Sequence, residues 1–179
     1  MNIKSPEIKT FKQDLDAIVD LVMNFKATSS ADLKIQSLLN VTVYVTATRF
    51  LEGAIKHIIY NCCAIRGDSK VRLKKTVEKL RGFNNPEFKN IKKIIEVNMK
   101  YDIINGKIKG KFDDKDIASL NQIVLNRHKN VHAPEDPGQW YGVNRKDVTD
   151  FKKEYVGLIK ILVFLDSICW NSRTKSFKP

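Results

Sequence analysis

A chain of 179 residues suits one domain, and 42% hydrophobic residues suffice for a single sizeable core. The longest apolar run, Ile161–Leu165, falls far short of the roughly 18–20 residues of a membrane span, and Met1-Asn2-Ile3-Lys4-Ser5-Pro6 has no apolar core of a secretory signal. A soluble, cytoplasmic protein with no membrane contact is therefore expected, and a formal charge of +12 favours a polyanionic partner.

Hydrophobic periodicity predicts helices along nearly the whole chain. Ile8, Phe11, Leu15, Ile18, Val22 and Phe25 repeat at alternating three and four, with Pro6 where a first helical turn accepts it. The polar cluster Ala27–Asp32 ends this helix and caps the next. The second helix is long, with Leu51, Ile55, Ile58, Cys62 and Ile65 on one stripe and Gly67 closing it. Its front, Val41–Thr46, alternates like a strand, but no other segment offers a pairing partner, so helix is the reading.

Two shorter helices follow, one from Ser69 to about Leu80 and one from Asn85 to about Val97 with Pro86 in its first turn. Tyr101–Lys111, with Gly106 and Gly110 among lysines, reads as a basic loop or small hairpin. Asp113 or Asp114 then caps a helix to about Val131, which Ala133-Pro134 stops. The final helix is expected from about Asp147 to Trp170. It carries two apolar stripes: Val148, Phe151, Tyr155, Leu158, Leu162, Leu165 and Cys169, and separately Ile161, Phe164 and Ile168. Two faces that want burial suit either a central helix or a homodimer interface. The predicted architecture is all-α, a bundle of about five helices.

Charge is unevenly spread. Between Arg66 and Phe112 there are 14 Lys/Arg against 5 Asp/Glu, a net of +9 out of the chain's +12. Cations that neutralise phosphates release condensed counterions, so nucleic acid is the partner this segment favours, with Lys107, Lys109 and Lys111 as candidate binding residues. The bland alternative is a solvated basic face. The three cysteines, Cys62, Cys63 and Cys169, show no metal-ligand spacing and sit among apolar neighbours, which predicts buried structural thiols. No Rossmann or P-loop glycine pattern occurs, and no cofactor is expected.

The sharpest local feature is Arg127-His128-Lys129-Asn130-Val131-His132. On a helical wheel Ile117, Leu120, Val124 and Val131 make a core stripe. Arg127 borders one flank, His128 the other, and His132 lies further out on that second side. Left to itself, such an arrangement reads as an arginine snorkelling from the core edge and histidines capping carbonyls. Two histidines at i, i+4 can also bind zinc, but no cysteine or carboxylate completes a site, and no metal is expected. His57, in the second helix, reads as structural.

This hexapeptide resembles the Arg-(Asn/Asp/His)-x-x-x-His signature of the HEPN superfamily, the "higher eukaryotes and prokaryotes nucleotide-binding" helical domains. Its position late in a helix, before a loop and a terminal helix, fits that resemblance. So does Thr48–Ile55, similar to an earlier family helix in which an acidic residue, here Glu52, often sits. The resemblance spans most of residues 38–169 of a single domain covering 1–179. The basic insertion at about 66–112 does not align, and Ala133-Pro134 stands where many members have Gly.

The resemblance implies a metal-independent endoribonuclease that cleaves RNA through 2′-OH attack, as a homodimer with facing motifs. A toxin or phage-defence effector, with an antitoxin or defence-system partner protein, is the implied role. Arg127 would hold phosphate oxygens, His132 would act as base or acid, and His128 and Asn130 would orient RNA or the other side chains. Glu52 would pair with Arg127. On one ideal helix Arg127 and His132 stand about 140° apart, which favours a site shared between subunits. The alternatives are a catalytically silent HEPN-like module that binds nucleic acid, a nucleotide or a partner protein, and a purely structural helical adaptor.

Overall fold

Several helices begin where a side chain can accept the free amides of a first turn. The computed structural model describes residues 2–131 and 146–179, and of residues 128–131 only the backbone. Within these it holds seven helices and one short hairpin: α1 (Pro6–Asn24), α2 (Ser30–Ile65), α3 (Lys70–Arg81), α4 (Phe88–Met99), α5 (Ile104–Ile108), α6 (Asp114–Val131), α7 (Val148–Ser167), β1 (Cys169–Asn171) and β2 (Ser176–Lys178). The all-α class stands; the count exceeds the predicted five because α5 adds a short turn and the long elements stay separate.

Pro6 opens α1 at its first position. Ser29 and Asp32 form a reciprocal capping box at the start of α2, and Ser69 accepts from the Arg72 amide to start α3. Asp113 and Asp116 exchange amide–carboxylate bonds of 2.9 and 3.0 Å at the start of α6. Val41–Thr46 is helical, inside α2. That helix ends as its glycine predicts: Gly67 sits at φ +87°, and the Asp68 and Gly67 amides return to the Cys63 and Ala64 carbonyls at 3.2 and 2.9 Å.

Three boundaries differ from the reading. α4 starts at Phe88, later than Asn85, because the residue before Pro86 avoids the helical region and the Phe88 amide is taken up by Asn121 Oδ1 of α6 at 2.9 Å. The basic stretch after Tyr101 folds as α5. Gly106 lets it approach so closely that a Cβ there would stand 2.4 Å from Phe112 and 2.6 Å from Phe164. The last helix stops at Ser167, and Cys169–Asn171 pairs antiparallel with Ser176–Lys178, Trp170 opposite Phe177.

α2 lies at the centre, in contact with α1, α3, α4, α6 and α7, while α7 packs chiefly along α6. Gly157 of α7 makes that contact close: a Cβ there would be 2.8 Å from the Asp116 Cα. Both stripes of α7 are buried inside the single chain, Leu158, Leu162 and Leu165 as fully as Ile161, Phe164 and Ile168. The second stripe is therefore core and offers no face to another subunit. Cys62 and Cys63 are buried as predicted, but Cys169 is exposed, because it begins a surface strand and does not continue the helix. No helix among the described residues is long and apolar enough to cross a membrane.

Candidate functional site

The α6 helix builds one wall of the core with Leu120, Ile123 and Val124, all fully buried. Arg127 follows at the edge of that face and is half-buried. The side chains of His128 and Asn130, and His132 altogether, lie outside the described residues. Of the motif side chains, Arg127 alone is described. Its guanidinium donates to the Asn84 carbonyl at 3.5 Å, a long and weak bond. Among the described residues no carboxylate comes within ion-pair distance of it.

Glu52 does not supply one. Its carboxylate pairs with Lys56, one turn along the same helix, at 2.5 Å. The Glu52–Arg127 pair anticipated from the sequence is not formed, since a neighbouring lysine satisfies Glu52 locally.

Arg127 is instead brought to the basic insertion. The bond from the Phe88 amide to Asn121 ties the start of α4 to α6, six residues before Arg127, about 9 Å along the axis. This anchors the α3–α4 connection, Asn84-Asn85-Pro86, beside the arginine. A pocket of about 340 Å³ opens there. Lys79 and Gly82 at the end of α3, Phe83, Asn84 and Asn85 of the connection, and Asn90, Lys93, Ile94 and Val97 of α4 line it. Asn85 bonds Glu87 through its Nδ2 at 3.2 Å, while Asn90 Nδ2 donates to the Asn85 carbonyl at 3.1 Å. The Asn85 Oδ1 is buried without a hydrogen-bond partner among the described residues. Lys79 and Lys93 are exposed and enter no ion pair among the described residues.

These pocket residues did not stand out in the sequence. The available signals were the Asn-Asn-Pro between two helices and the density of lysines around it, and neither says which lysines share a surface. No protein-family model, curated protein or solved structure matches this chain.

Lys107, Lys109 and Lys111 are exposed, but at the other end of α6. Lys107 pairs with Asp114, the first residue of that helix, at 2.6 Å, and thirteen residues separate Asp114 from Arg127, about 20 Å of helix. The predicted RNA-binding lysines and the motif arginine are thus far apart. His57 is structural as read: its Nε2 lies 3.1 Å from Ser5 Oγ, 2.7 Å from Asn61 Nδ2 and 3.4 Å from Glu7, tying the start of α1 to α2. Among the described residues no group of three His, Cys, Asp or Glu side chains is placed to hold a metal ion.

Proposed function

We propose that this chain is a metal-independent endoribonuclease of the HEPN type, with Arg127 and His132 as its central pair. The observation that carries the reading is the setting of Arg127. It is a half-buried residue whose guanidinium has a backbone carbonyl as its bonded partner at the surface, next to a pocket bearing two lysines that form no ion pair among the described residues. A guanidinium with no carboxylate partner among the described residues is available to phosphate oxygens, which it can grip with a planar fork.

In the proposed step His132 takes the 2′-OH proton, the 2′-oxygen bonds to phosphorus, and the P–O5′ bond breaks. A protonated imidazole returns a proton to the leaving oxygen, and Arg127 balances the charge that grows on the phosphorane. His128 and Asn130 orient the RNA. Lys107, Lys109 and Lys111 would extend the cationic path along the strand. The enzyme would act in the cytoplasm as a homodimer that pairs one Arg127 with the other His132. A toxin or phage-defence effector restrained by a partner protein is the role that fits such an activity.

The pocket also favours a second reading, a silent module that binds nucleic acid without cutting it. Incubation of RNA with the purified protein in EDTA separates the two. Cleavage that disappears in Arg127→Ala and His132→Ala supports the nuclease. Cleavage at an unchanged rate in either variant removes the assigned roles, and RNA binding without cleavage leaves the silent module.

A further inference from the structure

The pocket between α3 and α4 lies wholly within the basic insertion, outside the Arg127–His132 motif, and has its own chemistry. We infer that it is a nucleotide subsite of the single-stranded RNA substrate, seating a base beside the scissile position while Lys79 and Lys93 hold the adjoining phosphates. This rests on the RNA-cleaving reading of the neighbouring motif.

Four observations lead here. At about 340 Å³ the pocket falls at the lower end of the range of small-molecule sites, large enough for one planar ring system and too small for a helix or a duplex. On its α4 wall, beside Asn90 and Lys93, Ile94, half-buried, and Val97, exposed, form an apolar patch, a surface on which a base face can lie. Two amide side chains, Asn85 and Asn90, stand in the same lining; their Nδ2 groups each make one bond within the protein, which leaves each amide a second N–H, and Asn90 an oxygen, for the edge of an unpaired base. The two lysines of the lining carry charges that no described carboxylate neutralises. Arg127, bonded to the Asn84 carbonyl of the lining, adjoins this pocket, so one strand can occupy the motif and the subsite together. A mixture of apolar patch, amide edge and cations without an ion-pair partner among the described residues matches a nucleotide better than an inorganic anion, which has no use for Ile94 and Val97.

The test uses the full-length protein carrying His132→Ala and a fluorescein-labelled single-stranded RNA of about ten nucleotides. Anisotropy is read over a range of salt concentrations. Lys79→Gln with Lys93→Gln should weaken binding at least fivefold. It should also flatten the dependence of log affinity on log salt by about 1.4, since each single-strand phosphate contact contributes about 0.7. The exposed remote pair Lys9→Gln with Lys178→Gln makes the same change in net charge and should leave the slope unaltered. Nucleoside 5′-monophosphates should displace the RNA at least tenfold better than ribose 5-phosphate, and this preference should vanish in Val97→Asp.

Equal slopes for the two charge-matched double variants, or no measurable RNA binding, would overturn the subsite. Equal competition by the nucleotide and the sugar phosphate would remove the base from it. Cleavage in EDTA is scored separately with the unmutated chain and with His132→Ala, so a failed nuclease reading and a failed subsite give different results.

Discussion

Arg127 makes one weak bond to a carbonyl, so its removal should spare the fold. Arg127→Ala is expected to lower RNA cleavage by about 10²–10³-fold, and His132→Ala by about 10²–10⁴-fold, with far-UV dichroism unchanged. Arg127→Lys keeps the charge but loses the fork, and should fall between the alanine variant and the wild type. A residue with the opposite economy is Arg66. It grips Asp68 through Nε and Nη2 at 2.8 and 2.5 Å and donates to the Asn98 carbonyl at 3.0 Å, joining the end of α2 to the end of α4. These bonds hold the Asp68 carboxyl below the usual carboxylate range. A depressed folded value means the pair stabilises fully above the unfolded Asp pKa of about 3.9 and is lost as pH falls through the folded value. Asp68→Asn should therefore cost about 2 kcal/mol near neutrality, and its melting temperature should converge on the wild type in acid. The thiols separate equally cleanly. Burial pushes Cys62 up to about 12 and raises Cys63, while Cys169 is exposed. Since the thiolate is the reactive form, native protein should take up iodoacetamide at Cys169 alone, read by mass spectrometry, and at all three after denaturation.

At the scale of elements, two glycines set where helices can go. Gly157 allows α7 to lie against the Asp116 backbone and the Ser119 Cβ of α6, and α6 is the helix that carries Arg127. An alanine would gain helix propensity of about 1 kcal/mol, yet its Cβ would meet backbone that cannot swing aside. Gly157→Ala should accordingly lower stability by about 1–3 kcal/mol in urea unfolding, and should reduce cleavage as α6 shifts. A stability equal to the wild type would mean the two helices separate freely. The α4 helix depends on its neighbour in another way: its first amide is capped by Asn121 from α6, so the pocket wall and the motif helix move together.

At the scale of the molecule, the burial of Phe164 changes what a subunit-interface test can use. Phe164→Glu places a charge in the core between Phe112 and Gly106 and should unfold the chain, not merely separate subunits. Exposed large apolar side chains lie elsewhere, among them Phe11 on α1 and Leu33 and Leu38 on the first turns of α2, each at least 60% exposed. If two chains share the site, mixing inactive Arg127→Ala protein with inactive His132→Ala protein restores part of the activity, up to about one quarter under random pairing of equal amounts. Leu33→Glu with Leu38→Glu should lower dimer content in ultracentrifugation without loss of helix. A fully active monomer would remove the shared site.

Periodicity, caps and breakers are local, which is why α1, α2, α3, α6 and most of α7 could be read from the chain: the apolar spacing of three and four, Ser29 with Asp32, Ser69, Gly67 and Asp113 act within a few residues of themselves. The hexapeptide from Arg127 was legible for the same reason, as spacing on one helix. What lies next to what was not. Whether the second stripe of α7 met another subunit or its own core depended on α7 lying between α1, α2 and α6. Glu52 could be placed on a helix face, but not in competition with Lys56 for its partner. Lysines scattered through the insertion look alike along the chain, and only tertiary packing puts Lys79 and Lys93 in one pocket with Asn84, the residue Arg127 bonds, and leaves Lys107 about 20 Å along α6 from Arg127. Local structure follows from interactions between near neighbours, which a sequence displays directly. A surface site follows from contacts between residues far apart in the chain, and those exist only once the core has formed.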